Sequence, residues 1–117
     1  PARVRPCARL ADALVVTTGL EYFERTGRTD ALVRLARAAG RIRGWSDGYG
    51  LVLVATGRAD ASVEPLMMPW DMAPFAVILP EAGGVCTDWA GRRDIRTQAC
   101  IAANDCVAAE IRSMLPD

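Results

Sequence analysis

The chain has 117 residues, of which 51% are hydrophobic, and its 14 Lys plus Arg balance 14 Asp plus Glu to a formal net charge of zero. That length fits one compact domain and is too short for two ordinary ones, and the apolar fraction argues against disorder. The charge balance gives no support for nucleic-acid binding, which needs a basic excess to meet phosphates.

The first ten residues, with prolines at Pro1 and Pro6, read as an extended, irregular lead-in. A start at Pro1 rather than Met is expected of a processed chain or a piece of something longer. No signal-peptide pattern is read in these residues. Residues 13–18 (ALVVTT) form a short β-branched run closed by Gly19 and predict a buried strand. Thr29 followed by Asp30 predicts a helix start with Thr29 as N-cap. Leu32, Leu35, Ala36 and Ala39 follow at helical spacing, and Gly40 is a stop signal. Residues 41–44 fit a second short strand. Residues 46–57 leave two readings open: Ser46 and Gly57 suit the ends of a helix, while the centre, LVLVA, suits a buried strand equally well. Residues 59–63 alternate and predict a strand.

Residues 70–82 are long enough for a helix, with Pro74 in its first turn, Pro80 loosening its last, and Gly83 as the left-handed residue that ends it. Residues 85–88 predict a strand, 89–93 (WAGRR) a turn and 99–103 a strand. Asn104 or Asp105 then caps a final helix carrying Val107, Ile111 and Leu115. This alternation predicts an α/β layered sandwich around a mixed or parallel sheet. No apolar run reaches the roughly 20 residues that span a bilayer. The arginines Arg34, Arg37, Arg41 and Arg43 are expected on a solvated face.

The four cysteines, Cys7, Cys86, Cys100 and Cys106, form no C-x-x-C pair, and there is no histidine. A zinc site would need all four thiolates at a spacing that does not suggest one. A disulfide remains open, but free thiols of a cytoplasmic protein are the expected state. The missing histidine also removes Ser-His-Asp and Cys-His machinery from this chain.

The chemistry concentrates in residues 54–88, whose centre is Trp70-Asp71 opening a helix that closes with Glu81-Ala82-Gly83-Gly84. An Asp at a helix start favours the positive end of the dipole. The same carboxylate, held rigidly, offers a hard oxygen ligand to Mg²⁺ beside N–H groups that favour a phosphate. The string W-D-x-A…E-A-G-G, a short strand, then T-D-W-x-G-R, together with the upstream A-T-G-R-A-D-A, resembles the C-terminal signature of the inositol monophosphatase family. With looser similarity through RLADALVVTT and GWSDGYG, the resemblance covers nearly the whole chain and is nearest to the histidinol-phosphatase branch.

The resemblance implies the C-terminal half of a layered αβαβα fold and Mg²⁺-assisted hydrolysis of a phosphate monoester. It implies Asp71 as a metal ligand and Glu64, seven residues earlier, as a contact to the non-phosphate part of the substrate. Glu64 alternatively reads as a strand-end carboxylate paired with an arginine. Asp47 falls in a stretch where the branch carries G-D-x-Y-G; this chain keeps Asp-x-Tyr-Gly but has Ser46 before it. Asp47 is expected to contact substrate, or else only to favour a helix dipole. Gly83 and Gly84 are expected as a helix stop and turn, and Trp70 and Trp89 in the core or a pocket wall.

Two carboxylates beside the leaving group suit the cationic amine of histidinol phosphate better than neutral hydroxyls. An inositol or related sugar phosphate is the alternative substrate, and a non-catalytic binding or structural domain the alternative of another class. The family's remaining ligands, a Glu and an Asp-Pro-x-Asp-Gly-Thr loop, belong to its N-terminal half and have no counterpart here. The isolated chain is therefore expected to lack appreciable activity and to need a missing N-terminal half or partner chain. Family members are commonly homodimers, and nothing in these residues bears on that.

Overall fold

The computed structural model describes residues 1–117 except Trp45, Ser46, Ile95, Thr97, Pro116 and Asp117; for Asp47 and Gly48 it describes the backbone alone. A five-stranded mixed sheet is built from β1 (Leu14–Thr17), β2 (Arg41–Gly44), β3 (Ala61–Glu64), β4 (Val85–Thr87) and β5 (Cys100–Ala103), in the order β2-β1-β3-β5-β4. β1 runs parallel to β2 and β3, while β5 is antiparallel to both β3 and β4. The helices are α1 (Glu21–Arg25), α2 (Thr29–Ala38), α3 (Asp47–Ala55), α4 (Pro69–Glu81) and α5 (Asp105–Met114), with a 3-10 turn at Leu10–Asp12.

Strand alternation divides the core between the two faces of the sheet. Val15, Ala61, Val63, Ile101 and Ala103 face α1, α2 and α5, meeting Phe23, Leu35 and Ile111. Val16, Cys86, Cys100 and Ala102 face α3 and α4, meeting Leu51, Val54, Met72 and Leu79. Each fully buried leucine among these contributes about 1.5–3 kcal/mol of transfer free energy. The expected α/β layered sandwich with a mixed sheet is what forms. No helix among the described residues is long and apolar enough to cross a membrane.

Several local expectations change. Within residues 47–57 the chain forms a helix over Asp47–Ala55, because α3 packs Leu51 and Val54 onto the sheet while nine helical residues remain too apolar for periodicity to reveal; Ser46 lies outside the described residues. Thr29 is not an N-cap: the flanking residue is Arg28, with no side-chain capping bond. α1 was not predicted; its five residues are anchored by Phe23, 6.3 Å between ring centroids from Trp89. α4 begins one residue early, at Pro69, so Pro74 lies in its second turn rather than its first. Asn104 caps α5, its side-chain oxygen accepting from the Val107 N–H at 2.8 Å.

The close of α4 shows why two glycines are needed. Gly83 adopts φ +90°, and a Cβ on Gly84 would lie 2.7 Å from the Ala103 carbonyl oxygen. The expected turn after β4 is organised by Asp88, whose carboxylate accepts from the Ala90 and Arg92 N–H groups at 2.9 and 2.7 Å.

The lead-in is latched by a buried carboxylate. Arg5 donates to Asp60 through Nε at 2.6 Å and Nη2 at 2.7 Å, and the Leu14 N–H donates to the same carboxylate at 2.7 Å. Burial alone would raise the Asp60 pKa, but the Arg5 and Leu14 bonds outweigh it and hold the carboxyl below its ordinary value. A depressed folded-state pKa means that the stabilisation is complete above the unfolded value, about 3.9, and is lost as pH falls through the folded value. Asp60→Asn is expected to lower stability by about 1–3 kcal/mol at pH 7. Urea titrations at pH 7 and pH 3 should show that the wild-type advantage shrinks at the lower pH; an unchanged gap would remove the latch.

Candidate active site

Because β1, β2 and β3 are parallel, their C-terminal ends share one edge of the sheet. In open α/β sheets this edge is where ligands bind. The antiparallel partners bring the start of β5 and the end of β4 to the same edge, with Glu64 paired to Cys100 and Thr87 to Ile101. Thr17, Gly44 and Glu64 therefore end their strands side by side. The N-termini of α3 and α4 follow directly from β2 and β3, which places Asp47 and Asp71 along this edge.

Asp71 is the third residue of α4, in the first turn, where the dipole and the open N–H groups favour negative charge. It is partly exposed. Its carboxylate makes no hydrogen bond or ion pair among the described residues, so its oxygens are available to a ligand. Three ties hold the backbone that leads to it. The Pro65 carbonyl accepts from Arg28 Nη1 at 3.3 Å, the Met67 N–H donates to the Gln98 carbonyl at 2.6 Å, and the Met68 carbonyl accepts from the Asp71 N–H at 3.0 Å. Gln98 makes its contact from φ +65°, a region non-glycine residues enter at a cost. Arg28 also lies over the Trp89 ring, 4.8 Å from its centroid.

Glu64 is placed differently from an open wall residue. Its side chain is fully buried. Thr18 N–H donates to both carboxylate oxygens at 3.0 Å, Thr17 Oγ1 donates to Oε1 at 3.2 Å, and Ser62 Oγ donates to Oε2 at 3.4 Å. The carboxylate thus fixes the end of β1 from within the sheet. Asp47 opens α3, but its side chain lies outside the described residues. Trp89 is buried in the core, whereas Trp70, expected in core or wall, is 71% exposed beside Asp71. Thr17, Thr18, Ser62 and Arg28 were not singled out from the sequence. The paired threonines closing a β-branched run were the one local signal, and their partner lies 46 and 47 positions away.

The donor chemistry of Asp71 fits one position in the coordination shell of a hard divalent cation. Among the described residues there is no group of three or more acidic or thiol side chains that could hold a metal ion together. Among the described side chains the edge therefore offers one unpartnered carboxylate, that of Asp71, and a rigid approach to it.

The chain matches the inositol monophosphatase family over residues 1–115. It is 41% identical to a histidinol-phosphatase of Chlorobaculum parvum over 95 residues, covering 81% of this chain and 37% of that protein. It is 37% identical to a histidinol-phosphatase of Streptomyces coelicolor over 89 residues, covering 76% of this chain and 34% of that one. A solved inositol monophosphatase from Zymomonas mobilis superposes with a TM-score of 0.87 at 26% identity, over 95% of this chain and 45% of that chain. The chain thus spans less than half the length of these relatives.

Proposed function

Since the chain belongs to the inositol monophosphatase family, we propose that it is the substrate-side half of a Mg²⁺-dependent phosphate monoester hydrolase acting on histidinol phosphate. The observation that carries this reading is the Asp71 carboxylate: partly exposed, without a protein partner among the described residues, and held in the first turn of α4 at the ligand-binding edge of the sheet. A bound Mg²⁺ would supply charge to polarise the phosphoryl group and lower the pKa of a bound water. Asp71 would contribute one anionic oxygen to that ion, and the N–H groups of the same helix turn would face the phosphate. The other ligands and the groups that orient the attacking water would come from an N-terminal half or partner chain.

The names of the relatives from Chlorobaculum parvum and Streptomyces coelicolor favour histidinol phosphate over an inositol phosphate. Physically, Asp47 at the start of α3 is the residue we assign to the substrate's ammonium group. Glu64 acts from beneath, adding negative charge to the edge and holding Thr18 in place. The outer sides of α3 and α4 support a missing layer: both helices are apolar all round, and Val52, Val77 and Ile78 are exposed on them. Such helices are normally covered. In its complete form the protein is expected in the cytoplasm.

Steady-state phosphate release tests the reading. With Mg²⁺ and histidinol phosphate, the purified chain should turn over no substrate above background. Mixing it with the N-terminal half of the Chlorobaculum parvum relative should restore turnover, with histidinol phosphate favoured over inositol phosphate. A chain that alone matches a full-length enzyme would overturn the division of labour. Failure of every complementing half, including any encoded in frame upstream of Pro1, would favour a non-catalytic domain.

A further inference from the structure

Cys86 and Cys100 lie on neighbouring antiparallel strands, β4 and β5, with their side chains on the same face of the sheet. Their Sγ atoms are 3.6 Å apart, in thiol–thiol hydrogen-bond contact, and both side chains are buried. Closing that gap to a covalent S–S bond of about 2.05 Å needs a movement of roughly 1.5 Å. The strand that would move is suited to it: β4 has three residues, stands at the end of the strand order and pairs on one side only. Short edge elements of this kind open locally far more readily than central strands.

We propose that Cys86 and Cys100 form a reversible dithiol–disulfide site that a hydroperoxide oxidises. The Cys86 sulfur attacks the terminal peroxide oxygen, the O–O bond breaks, and the departing oxygen takes the thiol proton, leaving as water from hydrogen peroxide or as the alcohol from an alkyl hydroperoxide. The Cys86 sulfenic acid is then attacked by the Cys100 sulfur; the S–O bond breaks and its hydroxyl leaves as water with the Cys100 proton. The two thiols are oxidised by two electrons in total and one hydroperoxide is reduced.

The order of attack follows from position and environment. Cys86 is on the edge strand, and its hydrogen bond with Cys100 holds its thiol below the ordinary range. The same contact, together with burial, pushes Cys100 well up, as befits the resolving partner that stays protonated until the sulfenic acid forms. The other two cysteines do not compete from within the sheet: Cys7 is partly exposed and donates to the Arg9 carbonyl, and Cys106 is exposed on α5. The linkage would sit one strand from Glu64, the register partner of Cys100.

The test uses the Cys7→Ser/Cys106→Ser variant, which leaves Cys86 and Cys100 as the remaining thiols, alongside the unaltered chain. Brief treatment with hydrogen peroxide under native conditions is followed by thiol labelling, intact mass and peptide mapping. The expected result is loss of both remaining labelled thiols, a mass lower by two hydrogens, a recovered peptide pair joining residues 86 and 100, and full reversal by dithiothreitol. The unaltered chain should give the same linked pair. Persistence of both thiols, stepwise gain of oxygen without cross-linking, or links only through Cys7 or Cys106 would each overturn the proposal.

Discussion

Replacing Asp71 by Asn in the complemented enzyme is expected to lower kcat/KM for histidinol phosphate by about a hundredfold to a thousandfold, equivalent to about 3–4 kcal/mol of transition-state stabilisation. The amide has nearly the shape of the carboxylate but lacks its charge, so one anionic oxygen would be withdrawn from the proposed cation. The Mg²⁺ concentration needed for half-maximal activity should rise together with the loss. Folding should hardly respond. The Asp71 side chain makes no hydrogen bond or ion pair within the described residues, and removing a charge from a first helical turn costs only about 0.3–1 kcal/mol. Thermal melts of the variant chain should therefore stay within a few degrees of the parent. Activity within threefold of the parent at limiting Mg²⁺ would reduce Asp71 to a partner of its own helix dipole.

Glu64 is expected to behave in the opposite way, with stability falling before any question of catalysis arises. Glu64→Ala leaves the half-buried Thr18 N–H without the two oxygens it now faces at 3.0 Å, and opens a void among Ser62, Thr17 and their neighbours. Both hydroxyls can rotate to other acceptors, but the amide cannot. The loss should be about 2–4 kcal/mol, which is a large part of the 5–15 kcal/mol typical of a domain. Glu64→Gln should lose less, about 1–2 kcal/mol, because one oxygen remains while the new amide group turns a donor toward other donors. Urea midpoints should fall in that order with an unchanged slope. A neutral effect of Glu64→Ala would mean that the end of β1 is held by something other than this carboxylate.

The contrast between these two acidic residues marks what the sequence makes legible. Asp71 follows a tryptophan at the head of a long apolar run with a glycine stop, so its helix and its place in the first turn follow from local pattern. The β-branched run through Val15 and Val16, and the glycines at 83 and 84, are legible for the same reason. Glu64 is not, because what defines it is pairing between β1 and β3, and no local window contains both Thr18 and Glu64. Thr29 looks like a cap by residue type, yet α2 follows so closely on α1 that Arg28 occupies the flanking position. Trp70 looks like core by size, but its neighbour Met72 takes the buried side of α4 and leaves the indole outside. The apolar composition of α3 hid its period, and only the packing of Leu51 and Val54 against the sheet decides between helix and strand.

The strand order carries a temporal consequence. β5 arrives last among the strands yet lies between β3 and β4, joining them through its two antiparallel ladders. Until residues 100–103 leave the ribosome, β4 has no neighbour and β3 has one bare flank. The sheet therefore cannot grow vectorially during synthesis. A nascent chain that stalls before Cys100 leaves open at once two strand borders that the finished sheet pairs, which makes late termination a more hazardous event for this protein than early termination.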